Sequence, residues 1–485
     1  MHSTTGIAMT QPTYKPLYKL IRTEKNFYLY DNFTNQILNI SEKVHKVLVK
    51  EKKSSTDLKY LEELSKRNGV LCPNHLRPKL PEFDVEEIKA VVENSCLQLS
   101  LEISQKCNLR CHYCVYSGQY ASKRKHSEHL MSLETACLAV DYLASHSSHS
   151  LYVTVAFYGG EPLINFPLLK QITSYAQEKI KDRKIVFTVT TNSTLMKKEY
   201  IDFFIQNNFH LFISLDGPKY IHDKMRVSGN QKGSYNIVIK NMFLIKELSL
   251  QYFESNVHVS MVVHPGVDLS VLDSFLEEMG ITSSKIATIS DFGTQWRKEY
   301  IENPIRNEEA ILEKYLSLAK SSELRSNLIT AKYCLANSLF SASMSRLVNR
   351  RSSVPFSENF ISLGNCIPGN RKIFVDCGGD IYPCEKTDSA NHLLLGNIRT
   401  GGVQVEKVIE MMQSFYSFVT DSCAGCWLNK ICDACFVQPT WGNEFNVEKL
   451  SYACKSMRSR YSKMLKLYCA IMEENPNGLD ALIEF

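Results

Sequence analysis

Cys107-Asn108-Leu109-Arg110-Cys111-His112-Tyr113-Cys114 follows closely on the apolar run LQLSLEI (97–103), and this junction of a strand with three closely spaced thiols decides how the chain is read. Iron–sulfur clusters take four ligands, so three thiolates at this spacing can wrap one cubane cluster and leave its fourth iron without a protein ligand. A zinc knuckle is the other metal site that such spacing allows. The strand is the first of six. LYVTVAFY (151–158), KIVFTVT (184–190), FHLFISL (209–215), VHVSMVV (257–263) and KIATIS (285–290) follow, separated by helical stretches such as SLETACLAVDYLASH and FPLLKQITSYAQEKIKD. Strands alternating with helices predict a parallel sheet with right-handed crossovers, hence an α/β barrel or partial barrel whose site lies at the C-terminal strand ends.

A chain of 485 residues with 44% apolar content can bury a large core divided among two to four domains. Its net charge of +5 comes from 56 basic and 51 acidic residues spread along the sequence, with no basic tail to argue for nucleic acid. No apolar run reaches bilayer length, and MHSTTGIAMTQPTYK has neither the apolar stretch nor the cleavage site of a signal peptide, so a cytoplasmic location without a membrane partner is expected. In a reducing compartment, 16 cysteines point to metal binding or catalysis before disulfides. Three lie within 107–114 and eight within 366–454; Cys72, Cys96, Cys137 and Cys469 read as buried small apolar residues, and Cys334 has no assigned place.

Before the barrel, YKLIR, FYLYD and QILNI read as short strands with turn chemistry at Asp31-Asn32 and Thr34-Asn35. Two helical patterns follow, one beginning at Ser41 with Val44, Val47 and Leu48 on a face, the other near 56–68 with Leu58, Leu61 and Leu64. Together they predict a winged-helix-like unit over 1–75. A proline-rich linker and acidic helix (76–96) lead into the barrel (97–320), a bridging region (321–365) and a cysteine-rich C-terminal domain (366–485). That last domain has hairpin-like segments (KIFVD, GGDIYPC) and a lysine-rich helix over 448–473, and metal clusters would stand in for part of its core.

The CxxxCx(aromatic)C motif after a first barrel strand, with Tyr113 at the aromatic position, resembles the signature of the radical S-adenosylmethionine (SAM) superfamily. The resemblance implies that Cys107, Cys111 and Cys114 hold a [4Fe–4S] cluster whose open iron binds the methionine part of SAM, and that one electron from it yields a 5′-deoxyadenosyl radical. Tyr158-Gly159-Gly160-Glu161-Pro162 resembles the family's GGE segment, with Gly159 and Gly160 letting backbone approach the cofactor amine and Glu161 adding charge. Thr191-Asn192 and Ser214-Leu215-Asp216-Gly217-Pro218 resemble its TN and SLDG segments, continued by His222-Asp223 and Arg226. Asn192 is thereby a cofactor-site candidate, Arg226 one for the cofactor carboxylate, and Ser214 or Asp216 one for the ribose.

The C-terminal cysteines resemble the SPASM extension of the same superfamily, which implies two auxiliary [4Fe–4S] clusters. By position, Cys423, Cys426, Cys432 and Cys454 would hold one, and Cys366, Cys384 and Cys435 the other, either completed by Cys377 or left open to a substrate thiolate. Cys432 and Cys435 are spaced CxxC where the family has CxxxC, and paired CxxC motifs are also zinc-ribbon spacing. The N-terminal unit resembles PqqD-like peptide-recognition domains, which add a leader peptide as a strand, here at the edge near Gln36–Ile40. With VYSGQY (115–120), these features look most like maturases that form thioether bonds between cysteine sulfur and carbon in a precursor peptide. The implied partners are a cysteine-containing precursor with a leader and a flavodoxin- or ferredoxin-type reductant. Glu385 and Asp388 are the candidate proton acceptors. Formylglycine formation, as in sulfatase-maturating enzymes, other peptide cross-linking, and a non-catalytic electron-transfer or peptide-binding protein are the competing readings.

Overall fold

A computed structural model describes residues 16–72, 82–120, 123–321, 330–351, 366–387 and 390–483. Strands β1 (Tyr18–Arg22), β2 (Phe27–Asp31) and β3 (Gln36–Ile40) form an antiparallel meander in that order. Its second turn is closed by Asp31, whose Oδ2 accepts from Thr34 N (2.9 Å) and Oγ1 (2.7 Å), with Asn35 in the left-handed region at φ 56°. The Glu42–Leu48 helix, capped by Ser41, buries Val44, Val47 and Leu48. The Ser55–Asn68 helix opens on a capping box between Ser54 and Asp57. Leu58, expected on the inner face, is 55% exposed. Asp57 takes the inward position of that turn, because it closes the box and pairs with Lys50 at 2.9 Å.

Six parallel strands follow in spatial order, β4 (Gln98–Ser104), β5 (Tyr152–Gly159), β6 (Lys184–Thr191), β7 (His210–Ser214), β8 (Val257–Val263) and β9 (Ser284–Thr288). Each falls within a residue or two of its expected place. A parallel sheet covered on both faces reads as a continuous apolar run. Here the pattern alternates: Leu99, Leu101 and Ile103 of β4 join the helix-covered core, while Ser100 and Glu102 turn the other way, in register with Ala156 and Tyr158 of β5. The second face lines a polar lumen.

The sheet does not stop at the barrel. Strand β10 (Lys372–Val375) pairs parallel with β4, matching Lys372 to Gln98 and Phe374 to Ser100, and continues antiparallel through β11 (Asp380–Tyr382), β12 (Gly396–Asn397) and β13 (Gly402–Val403). The cysteine-rich region is thus welded to the first barrel strand. A short hairpin, β14 (Thr440–Trp441) and β15 (Glu444–Phe445), precedes the 28-residue Val447–Glu474 helix.

The N-terminal unit has a small core of its own around Leu29, Val44 and Leu48, and docks on the C-terminal region through Ile21 and Tyr30, which join the main core, and through polar contacts. Thr23 Oγ1 (2.7 Å), Asn26 Nδ2 (2.9 Å) and Tyr28 OH (3.0 Å) all donate to Glu473 Oε1. Asn32 Nδ2 donates to Trp427 O (2.9 Å) and Asn429 Oδ1 (2.8 Å), and Lys430 Nζ donates to Phe33 O (2.7 Å). Strand β3 pairs with β2 alone among the described residues. No described helix is long and apolar enough to cross a membrane.

Candidate active site

The loop carrying Cys107, Cys111 and Cys114 leaves β4 and is pinned from three directions. Arg110 N donates to Val227 O (2.7 Å) and His112 N to Met225 O (2.9 Å), tying it to the segment beyond β7. Gly160 N donates to Ser104 O (2.7 Å) and Glu161 N to Lys106 O (2.9 Å), tying it to the end of β5. A Cβ on Gly160 would stand 2.4 Å from Lys106 O, and one on Gly159, at φ 138°, 2.2 Å from Ser104 O. The close approach that these glycines permit is therefore to the cysteine loop itself.

Glu161 is buried and fully occupied: Oε1 accepts from Thr191 Oγ1 (2.6 Å) and Leu163 N (3.0 Å), Oε2 from Asn192 N (2.8 Å). Burial pushes its carboxyl pKa up, and these donors oppose that. It locks β5 to β6. Asn192 Nδ2 in turn donates to Asn108 Oδ1 (3.0 Å) and lies 3.8 Å from Cys107 Sγ, while Asn108 Nδ2 donates to Thr194 Oγ1 (2.7 Å). Asn108 lies inside the first cysteine motif and Thr194 two residues beyond Thr191-Asn192, and neither was among the expected site residues.

Asp216 is spoken for as well. Its Oδ2 accepts from Tyr113 OH (2.6 Å) and Arg226 Nε (2.9 Å), its Oδ1 from Val262 N (2.9 Å), and the Arg226 guanidinium lies over the Tyr113 ring at 5.4 Å. Tyr113, Asp216 and Arg226 thus brace one another beneath Cys111, with no Asp216 oxygen left unbonded. Ser214 stands opposite Ser260 at the end of β7. His222 is buried and neutral in character, accepting from Asp216 N (3.3 Å) and paired with Ser234 Oγ (2.9 Å); burial and then Arg226 lower its pKa to about 4.

Burial raises the thiol pKa of Cys107 to about 12, of Cys111 to about 11 and of Cys114 as well. Three such thiols ionise when a cation joins them. Among the described residues no three His, Cys, Asp or Glu side chains could hold a single metal ion, whereas a cubane cluster is held by thiols placed around its larger body. The donor set fits a cluster.

Two further thiol groups form in the C-terminal region. Cys423, Cys426, Cys432 and Cys454 line one apolar cavity with Phe415, Val419 and Leu450, and burial first and then the neighbouring thiols raise the pKa of Cys423, Cys432 and Cys454. Arg458 lines it too, its Nη1 4.0 Å from Cys426 Sγ. Cys366, Cys384 and Cys435 influence one another in the same way. Cys435 borders the first cavity but has Cys384 and Cys366 as its electrostatic neighbours, which divides the Cys432–Cys435 pair between the two groups. Cys377, expected to complete the second, is not brought to it. Its Sγ donates to Glu102 O at 2.9 Å and its N to Glu102 Oε2 at 3.3 Å, because the β10–β11 turn lies against β4. Cys334 is buried at the start of the Cys334–Val348 helix, beside Ser284 Oγ at 3.4 Å.

Glu385 sits against Lys372 Nζ at 2.5 Å. Burial pushes its pKa up, but the Lys372 ammonium outweighs that and the net shift is downward. It is an ionised, weakly basic carboxylate. Asp388 lies outside the described residues. Between the two three-thiol groups, Arg124 pairs with Glu102 (3.1 Å), donates to Tyr116 OH (2.9 Å) and lies over Phe374 (4.3 Å). No local signal marks that pair, whose members stand far apart in sequence.

Residues 101–279 match the family model described as Radical SAM superfamily. The cysteine-type anaerobic sulfatase-maturating enzyme of Clostridium novyi is 31% identical over 151 residues, 31% of this chain and 40% of that protein. The radical SAM cyclopropyl synthase TigE of Paramaledivibacter caminithermalis is 25% identical over 239 residues, 47% of each. The chain thus spans half or less of the length of these curated relatives. A solved structure of native anSMEcpe with bound AdoMet and Cp18Cys peptide superposes with a TM-score of 0.57 at 19% identity, covering 79% of this chain and 99% of that one. Motif, strand order and superposition agree: residues 101–279 match the radical SAM superfamily, in a chain with the α/β fold of the anSMEcpe structure.

Proposed function

We propose that this chain is a peptide-modifying radical SAM enzyme that joins cysteine sulfur to carbon within a ribosomally synthesised precursor. The observation that carries this reading is the pair of three-thiol groups, Cys107/Cys111/Cys114 and Cys366/Cys384/Cys435, linked through side chains that reach both. Tyr116, Tyr158, Lys123 and Arg124 stand between them, Tyr158 within electrostatic reach of both Cys114 and Glu385, and Lys123 of Cys384.

SAM and a cluster at the first group would supply the 5′-deoxyadenosyl radical that takes hydrogen from the acceptor carbon. Cys107, Cys111 and Cys114 hold that cluster, with Asn192 and the Asp216–Arg226 pair keeping their loop in place. Cys366, Cys384 and Cys435 would hold an auxiliary cluster with one position left for a peptide thiolate, a group able to take up the one electron released as that sulfur bonds to the carbon radical. Cys423, Cys426, Cys432 and Cys454 close the second auxiliary site. Glu385, charged and held by Lys372, is too weak a base to take the thiol proton unaided, and its negative charge stands beside Cys384. The open edge of β3 takes the leader as an added strand, on a unit that begins before the matched radical SAM segment.

Oxidation of a cysteine or serine to formylglycine is the second reading, favoured by the sulfatase-maturating relatives. Reconstituted anaerobically with a reductant, the protein should cleave SAM to 5′-deoxyadenosine; no cleavage at full iron content would remove both readings. Coexpression with a cysteine-containing precursor separates them. A loss of two hydrogens per bridge with no hydrazide-reactive aldehyde supports the thioether, and an aldehyde overturns it. Deleting residues 1–75 should abolish modification of a leader-bearing peptide while sparing SAM cleavage.

A further inference from the structure

Arg458 is the one charged side chain in the lining of the cavity on which Cys423, Cys426, Cys432 and Cys454 converge. Helix geometry puts it there. Cys454 and Arg458 stand four residues apart on the Val447–Glu474 helix, hence on one face, and a long helical side chain leans back over the preceding turn. Arg458 Nη1 lies 4.0 Å from Cys426 Sγ, and its charge reaches Cys454 as well. Asp433, next to Cys432 in sequence, is taken by Arg460, whose Nη2 stands 2.6 Å from both carboxylate oxygens. Arg346, which donates to Cys432 O at 3.4 Å, is not in the lining. Among the described residues the Arg458 side chain thus meets a thiol and no carboxylate.

Four thiols converging on one cavity fit a fully ligated cluster, with no position left for substrate. The chemistry of such a site is to hold or pass an electron. A cluster on four thiolates is anionic, and one more electron adds to that charge. A guanidinium beside the sulfur therefore favours the reduced form over the oxidised one, and apolar walls screen that preference less than water does. We propose that Arg458 sets the reduction potential of the cluster held by Cys423, Cys426, Cys432 and Cys454, raising it so that this site takes up an electron more readily. The inference rests on the reading of these four cysteines as an auxiliary-cluster site. It goes beyond that reading by naming the side chain that gives the site its redox character. Cys435 lines the same cavity while its electrostatic neighbours are Cys384 and Cys366, so an electron released at that second group has the four-cysteine site next to it.

The test uses the full chain, reconstituted anaerobically, in potentiometric titrations followed by electron paramagnetic resonance. Cys107→Ala and Cys384→Ala proteins identify which signal belongs to the four-cysteine cluster. Arg458→Gln should lower the midpoint of that signal by at least about 59 mV, a tenfold loss in the equilibrium for adding one electron, with iron content and the other midpoints unchanged. Arg458→Lys should keep most of the wild-type value, and Lys455→Gln, exposed on the same helix, should match wild type. An unchanged midpoint in Arg458→Gln overturns the tuning role alone. So does an Arg458→Gln protein that cannot hold that cluster, which makes the residue a structural support. If every cluster signal of the wild type survives Cys426→Ala and Cys432→Ala, no cluster sits at these cysteines, and the auxiliary-site reading falls together with the tuning role.

Discussion

Around Cys107, Cys111 and Cys114 the chain uses long-range hydrogen bonds, from Val227, Met225, Ser104 and Lys106, to hold a loop before any metal binds. Around Cys366, Cys384 and Cys435 the bonds are local: Thr387 N to Cys384 O (3.1 Å), Cys435 N to Gln438 Oε1 (2.7 Å) and Gln438 N to Cys435 O (3.0 Å). Cys366 is exposed. The first group is preformed by the barrel, while the second is three separate turns that a metal would draw together. A radical-generating centre needs its reacting atoms fixed to within a fraction of an ångström. A position that exchanges a substrate thiolate tolerates, and benefits from, looser support.

The sharpest way to break this contrast is Gly160→Ala. The added Cβ would meet Lys106 O at 2.4 Å and displace the first cysteine loop. SAM cleavage should fall by more than about a hundredfold, the scale of a misplacement near 1 Å, while the two C-terminal groups keep their iron. Iron analysis beside 5′-deoxyadenosine yield checks it; loss of all iron would mean that the two regions are not independently built.

The next effect is on stability. His222 supports the segment that the first loop pairs with, through Ser234 Oγ donating to Arg226 O at 3.0 Å. Its folded pKa, about 4, lies below the ordinary value, so its contribution is present above about pH 6.5 and is lost as pH falls toward 4. The apo protein should lose about 3 kcal/mol over that interval, and His222→Gln should flatten the dependence, read from urea unfolding at several pH values.

Chelation sharpens the comparison further. With iron removed anaerobically, a thiol alkylating reagent should modify Cys366, Cys384 and Cys435 at least about tenfold faster than Cys107, Cys111 and Cys114, as local opening dictates. Equal rates by peptide mapping would show that the barrel does not preform its loop. The smallest effect is at the docked N-terminal unit. Asn32→Ala removes the bonds to Trp427 and Asn429 and should cost about 1 kcal/mol, seen as faster hydrogen exchange in residues 427–430 and unchanged exchange at the first cysteine loop.

The strands were legible because their alternation is local, and the first cysteine motif because a ligand set within eight residues is local too. The group Cys423, Cys426, Cys432 and Cys454 was legible by resemblance, and its convergence on one cavity agrees. Another reading failed where a side chain had a choice of partners. Cys377 lay at a plausible spacing, but β10 pairing with β4 turns its thiol to a Glu102 carbonyl. Ser214 or Asp216 read as a ribose contact, and the fold adds that Tyr113, Arg226 and Val262 N also bond the Asp216 oxygens. Gly159 and Gly160 read as letting backbone approach the cofactor, and the fold adds that they let β5 approach the cysteine loop.

By itself, then, the sequence determined the element order and the strand–helix alternation of the partial barrel and marked the first cysteine motif, because periodicity and close ligand spacing are carried by neighbours along the chain. Only the tertiary structure decided that Cys377 turns to a Glu102 carbonyl and that Glu385 belongs to Lys372. Charge and hydrogen bonding act through space, and which groups meet is set by the sheet register that lays β10 beside β4.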